Sequence, residues 1–405
     1  MPQEIARAFL EGLQKDIYAS VGRSAPQIEE LLSVDAIEKV VIPLYREAGI
    51  TDPQRIEQLI SEQKDELARG LPTRYEDPLR YAIIKDLASR IQNAVLGLSM
   101  HLPSMPVVGT VPTGEVNAIT VKVPGSSQYV VLIQDQLFNY ALLFSKVVAR
   151  AFPGGDINSD GFQQFSADTS DIIANLEASP VITQRFRELI VGYLIDGNPG
   201  QAPQYILQQP HMGLAESLYD SMELFVMGHE YAHIITGHLD STDRYATEFG
   251  GGEVEVLTRS WAQEYEADGL GLLLMVKAKA EEGFDLSMSF WGADLFFNCA
   301  DIVERGISVI ETGEEGEARL GSHPPPGRRR QMIRAALQRD LGPESEPPIQ
   351  LADAVDTITK YLWESIKPYL IQLHEHKIKT AENWRQDPPR SKGWRGTVQA
   401  KDAWR

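Results

Sequence analysis

The chain has 405 residues, 43% of them hydrophobic, and a formal charge of −19. This is room and apolar content enough for two or three packed domains, and the acidic balance excludes general nucleic-acid binding, which needs a basic surface to displace counterions. A single cysteine, Cys299, excludes an internal disulfide and points to a reducing cytoplasm, where it reads as a small buried hydrophobe.

Met1 to Ser20 carries Glu4, Glu11 and Asp16 and no unbroken apolar stretch, so it reads as neither a secretory signal nor a transit peptide. Residues 1–100 form an all-helical region on the pattern of Ile5, Phe9, Leu13 and Ile17. Thr51-Asp52-Pro53 and Asp77-Pro78 are helix starts, the second leading into Leu79 to Leu98. The region has no catalytic cluster and is either a wall of the following domain or a recognition module. From Val107 to Ile133, alternation at Ile119, Val121 and Val123, broken by Pro124-Gly125-Ser126-Ser127, predicts a β-hairpin, and Asp135 to Ala151 returns to helix. Residues 152–222 then form a long insertion that could serve as a lid. It opens with Asp156-Ile157-Asn158-Ser159-Asp160-Gly161, which begins like an EF-hand calcium loop. The twelfth position, where bidentate glutamate belongs, is Ala167, and Asp168 is one residue out of register, so a polar loop is the reading adopted.

His229-Glu230-Tyr231-Ala232-His233 spells H-E-x-x-H. Histidines four apart share one face of a helix, where both reach a single metal ion, while Glu230 stands beside the remaining open position. Leu224 to Gly228 and Ile234-Ile235 flank the motif without charge or proline, as a buried helix requires. A catalytic metal needs a third ligand. Glu264 and Asp268, placed on a second helix before the apolar run Leu270 to Val276, share a face. Glu264 can bind the metal while Asp268 accepts a hydrogen bond from a ligand histidine, and Glu266 points elsewhere. His238, five residues past His233, turns away from the metal face and reads as a helix-end residue.

After Leu341-Gly342-Pro343 a helix is expected from about Ile349 to His374, with His374 and His376 at its solvent-facing end. In the tail beyond, Trp384-Arg385, Trp394-Arg395 and Trp404-Arg405 recur, and residues 375–405 carry eight Lys/Arg against four Asp/Glu. Such a strap either folds back on the acidic body or docks a partner.

These motifs resemble the gluzincin metallopeptidases of the HtpX and CAAX prenyl protease type. His229 to His238 is similar to that family's H-E-x-x-H-x-x-x-x-H, and Glu264 to Asp268 to its E-x-x-A-D. Ser322-His323-Pro324-Pro325 with Arg328, Arg329 and Arg330 is similar to its S/T-H-P-P segment and trailing arginine. Asn117-Ala118 with the strand Tyr129 to Ile133 is similar to its edge-strand region. The resemblance covers about residues 100–340. It implies His229, His233 and Glu264 as zinc ligands, Glu230 as general base and acid, Asp268 as partner of His229, His323 near the oxyanion, and Asn117 and Ala118 at the substrate. Two features depart from it. Gly269 stands where a basic residue often follows the aspartate, and no apolar run approaches the roughly 18–20 residues of a membrane span.

The expectation is therefore an α+β, predominantly helical protein with a gluzincin core and small sheet over 101–342, between the helical region 1–100 and a C-terminal helix and tail over 343–405. Its expected activity is that of a soluble zinc-dependent endopeptidase acting on a protein or peptide, latent until activated by a regulatory partner or active outright. The alternative is a catalytically silent regulatory or scaffold protein.

Overall fold

A computed structural model describes residues 2–20, 22–26, 42–47, 50–67, 71–112, 118–157, 163–239, 253–316 and 324–381. Its N-terminal helices are α1 (Pro2–Ser20), α2 (Ile42–Glu47), α3 (Pro53–Leu67) and α4 (Pro78–Gly97). The last two begin at the expected prolines, whose missing N–H costs nothing in a first turn. Asp52 accepts from the Gln54 amide at 3.1 Å, and Asp77 caps α4 by accepting from the Arg80 amide at 3.1 Å. α1 is part of the wall: Ala6, Leu10 and Ile17 bury against Val107, Val111, Val130 and Leu132. Gln14 tightens this contact by donating to the Thr110 carbonyl at 2.8 Å and to the fully buried Glu76 carboxylate at 2.5 Å.

The three strands β1 (Val107–Val111), β2 (Ala118–Lys122) and β3 (Tyr129–Gln134) form a sheet in the order β1-β3-β2. β2 and β3 are the expected antiparallel hairpin, turned at Gly125, whose φ of 67° suits glycine. β1 adds parallel to β3, so β2 lies at an edge of this sheet.

α5 (Asp135–Ala151) follows at the expected residues. The insertion contains the small antiparallel pair β4 (Gly154–Ile157) and β5 (Gln163–Phe165), then α6 (Thr169–Ala178) and α7 (Pro180–Asp196), and runs into α8 (His211–Ile235). Asp168 caps α6, accepting from the Ser170 and Asp171 amides at 2.8 and 3.3 Å, so that carboxylate is engaged in capping; Asn158 to Phe162 of the calcium-like loop lie outside the described residues. The remaining described helices are α9 (Glu253–Glu281), α10 (Leu286–Thr312), α11 (Pro326–Leu341) and α12 (Glu346–Glu375).

Two large cores result. In one, Ile172, Leu176, Phe186 and Ile190 of the insertion pack with Phe144 of α5, Leu295 and Cys299 of α10, and Ile358 and Trp363 of α12. The other joins α4, the sheet, α8, α9, α10 and α11. α8 touches α4, α5, α9, α10 and β2, and it is buried on every side from Ser221 to Ile234, as expected from the uncharged flanks of the motif. Among the described residues, no helix is long and apolar enough to cross a membrane.

Candidate metal centre

The site forms where α8 and α9 cross at unusually short range. Gly228 and Gly271 face each other there: a Cβ on Gly271 would stand 2.7 Å from the His229 amide nitrogen, and one on Gly228 would stand 2.8 Å from the Gly271 carbonyl oxygen. Only glycine at both positions lets the backbones approach so closely. The crossing sets His229 and His233 of α8 opposite Glu264 of α9, all three buried.

The three donors close a small triangle. His229 Nε2 and His233 Nε2 are 3.2 Å apart, Glu264 Oε2 is 3.4 Å from the first, and Glu264 Oε1 is 3.5 Å from the second. A tetrahedron with metal–ligand distances of ~2.0–2.1 Å has edges of about 3.3–3.4 Å, so two imidazoles and a carboxylate at these separations fit one metal ion.

Around them stand groups that fix their orientation. His229 Nδ1 lies 3.0 Å from Asp268 Oδ1, one turn beyond Glu264 on α9. Arg329 of α11 grips the same carboxylate with both arms: Nε donates to Oδ2 at 2.8 Å and Nη2 to Oδ1 at 2.6 Å. Arg329 Nη2 also passes 3.4 Å from His229 Nδ1; with the proton of Nδ1 directed at Asp268, this contact is not a hydrogen bond. α11 is itself held to α10, because Arg330 and Arg334 donate to the buried Asp294 at 3.0 and 2.5 Å. Glu230 is buried beside the triangle, and the Thr120 hydroxyl of β2 donates to its Oε2 at 2.7 Å.

Charge follows from these contacts. Burial would lower the pKa of His229, but the Asp268 and Glu264 carboxylates outweigh it and raise the imidazole to about 10. Burial would raise Asp268, yet Arg329 and His229 hold it below the usual carboxylate range. Burial raises Glu230 despite opposition from His229 and the Thr120 hydroxyl. A carboxylate with raised proton affinity beside such a donor triangle is suited to proton transfer.

The expected residues His229, Glu230, His233, Glu264 and Asp268 are thus brought together. Ala118 is buried at the start of β2, paired with Ile133, two residues from Thr120. Asn117, His323 and the tryptophans of the tail lie outside the described residues. The arginine trio is visible in the sequence, but nothing there gives Arg329 its role, and nothing there points to Thr120. The alternation of Thr120 with Ile119 and Val121 marked its face of the strand, but nothing local marked what that face meets. His238 is a helix-end residue as expected, and it lies against the rear of His233.

Comparison with known proteins finds no matching family model, curated protein or solved structure. The likeness to gluzincins therefore rests on the sequence motifs alone.

Proposed function

We propose that the protein is a zinc-dependent endopeptidase of gluzincin type, with His229, His233 and Glu264 as metal ligands. The observation that carries this reading is the buried donor triangle with Glu230 beside it. Two nitrogens and one carboxylate at near-tetrahedral spacing suit zinc better than the oxygen-rich octahedra of magnesium or calcium. When bound, zinc would supply Lewis-acid activation, lowering the pKa of a coordinated water toward about 7.

The chain's own residues supply the rest. Glu230 accepts a proton from the attacking water and returns it to the leaving amine, with Thr120 fixing its carboxylate through the 2.7 Å bond. Asp268 and Arg329 hold His229 in the tautomer that presents Nε2 to the metal. β2 lies at the sheet edge and carries Thr120, so a substrate in extended form that pairs along β2 would bring its carbonyl to Glu230. Ala118, on the same strand, would then lie along the substrate; the resemblance adds Asn117 beside it and, with the metal as the main support of the oxyanion, His323 as a second donor.

The test is cleavage of an unstructured protein substrate by purified enzyme, stripped with chelator and then reloaded. Activity should vanish on stripping and return with one equivalent of zinc. Activity indifferent to both treatments would overturn the reading.

A further inference from the structure

His238 lies where a helical wheel does not put it. α8 stops at Ile235, and Gly237 takes φ of 71°, the left-handed conformation that reverses a chain at a helix end. The Gly237 amide bonds the Ile234 carbonyl at 3.2 Å, and the His238 amide returns to the His233 carbonyl at 3.2 Å. This turn folds His238 back under the helix, where it is 6% exposed. Its Nδ1 is 2.9 Å from His233 Nδ1, the nitrogen facing away from the metal site, and its Nε2 is 3.0 Å from Glu266 Oε2 on α9.

We propose that His238 and Glu266 form a positioning relay that locks the tautomer of the metal ligand His233, resting on the metal-site reading above. The proton count decides it. Two Nδ1 atoms at 2.9 Å need one donor and one acceptor. If His238 donated from Nδ1, His233 would carry its proton on Nε2, toward His229, and a singly protonated His238 would also present an Nε2 lone pair to the Glu266 carboxylate at 3.0 Å. That arrangement repels at one end and blocks the metal at the other. In the opposite arrangement His233 donates from Nδ1, His238 accepts on Nδ1 and donates from Nε2 to Glu266, and His233 Nε2 keeps its lone pair for the metal. Every contact is then satisfied.

The two histidine ligands are consequently oriented by different means: His229 directly by the buried Asp268, and His233 through a second imidazole to a carboxylate whose side chain is 62% exposed. The relay depends on an acceptor at residue 238, more than on its bulk.

The experiment uses the full chain, with zinc affinity by chelator competition, thermal melts, and nitrogen-15 NMR of the histidine rings with and without zinc. His238→Phe keeps the ring volume but cannot accept, and should lose about 10–100-fold in zinc affinity. His238→Gln, with an amide oxygen toward His233 and an amide nitrogen toward Glu266, should recover most of that loss. Glu266→Ala should cost less than His238→Phe, because its carboxylate is largely in water. In wild type, the His238 proton should sit on Nε2 with or without zinc. A His238→Phe variant that melts like wild type and binds zinc equally well would overturn the proposal, as would a His238 proton on Nδ1. Wild type that takes up no zinc would instead sink the peptidase reading, and the zinc-free ring spectra would still decide the relay.

Discussion

Replacing Gly271 by alanine probes the helix crossing on which the site depends. The new Cβ would stand 2.7 Å from the His229 nitrogen, 2.9 Å from its Cα and 3.1 Å from the Gly228 carbonyl carbon. All three are backbone atoms, so no side chain can swing aside. Contacts under 3.0 Å force a shift and ordinary contact begins at 3.4 Å, so α8 and α9 must part by several tenths of an ångström. Overpacking of this kind costs about 1–3 kcal/mol, against which alanine returns ~1 kcal/mol of helix propensity, leaving a net loss of about 1 kcal/mol. The larger effect falls on the metal. Glu264 rides on α9 and the histidines on α8, so the same displacement opens a triangle whose edges are 3.2–3.5 Å, and zinc affinity should fall by about tenfold or more. Gly269→Ala is the control, since a Cβ there meets nothing within 4 Å. It should gain up to ~1 kcal/mol and bind zinc normally. Urea unfolding and chelator competition read both quantities. Gly271→Ala indistinguishable from Gly269→Ala in both would refute the role assigned to the crossing.

Asp268→Asn should lower zinc affinity about 10–100-fold, read by chelator competition, because the amide gives both His229 and Arg329 a poorer acceptor. With the His229 pKa held near 10, zinc uptake at pH 7 should expel close to one proton from that ring, measurable by calorimetry in buffers of different ionisation enthalpy; no buffer dependence would contradict the charge assigned to it. Burial raises Glu76 from 4.5 to about 7, so the folded state holds its proton more tightly than the unfolded state. The associated stability is full below pH 4.5 and is lost as pH rises through 7, by about 3 kcal/mol in all. Glu76→Gln should flatten urea stability between pH 5 and 8 by that amount.

The parts of the site written at helical spacing were legible. His229 and His233, and Glu264 and Asp268, are each four apart, and a helix puts such pairs on one face whatever else the chain does. The hairpin was legible through Pro124-Gly125, and two helix starts through Asp52-Pro53 and Asp77-Pro78. What escaped depends on long-range encounters or on a change of conformation. Thr120 meets Glu230 across 110 positions, and the Gln14–Glu76–Thr110 clamp joins three separate segments. β1 pairs parallel with β3, which local alternation does not encode. His238 was placed off the metal face by helical extrapolation. The left-handed Gly237 ends the helix first and carries it back beneath His233.

The central claim is that Glu230 moves protons at a zinc site made by His229, His233 and Glu264. Its most direct test compares wild type with Glu230→Gln, reading zinc content of the purified proteins and, by mass spectrometry, new protein N-termini in cells expressing each. Both proteins should carry one zinc per chain, and only wild type should generate new termini. Equal cleavage by the two, or a wild-type protein that carries zinc yet generates no new termini, would contradict it.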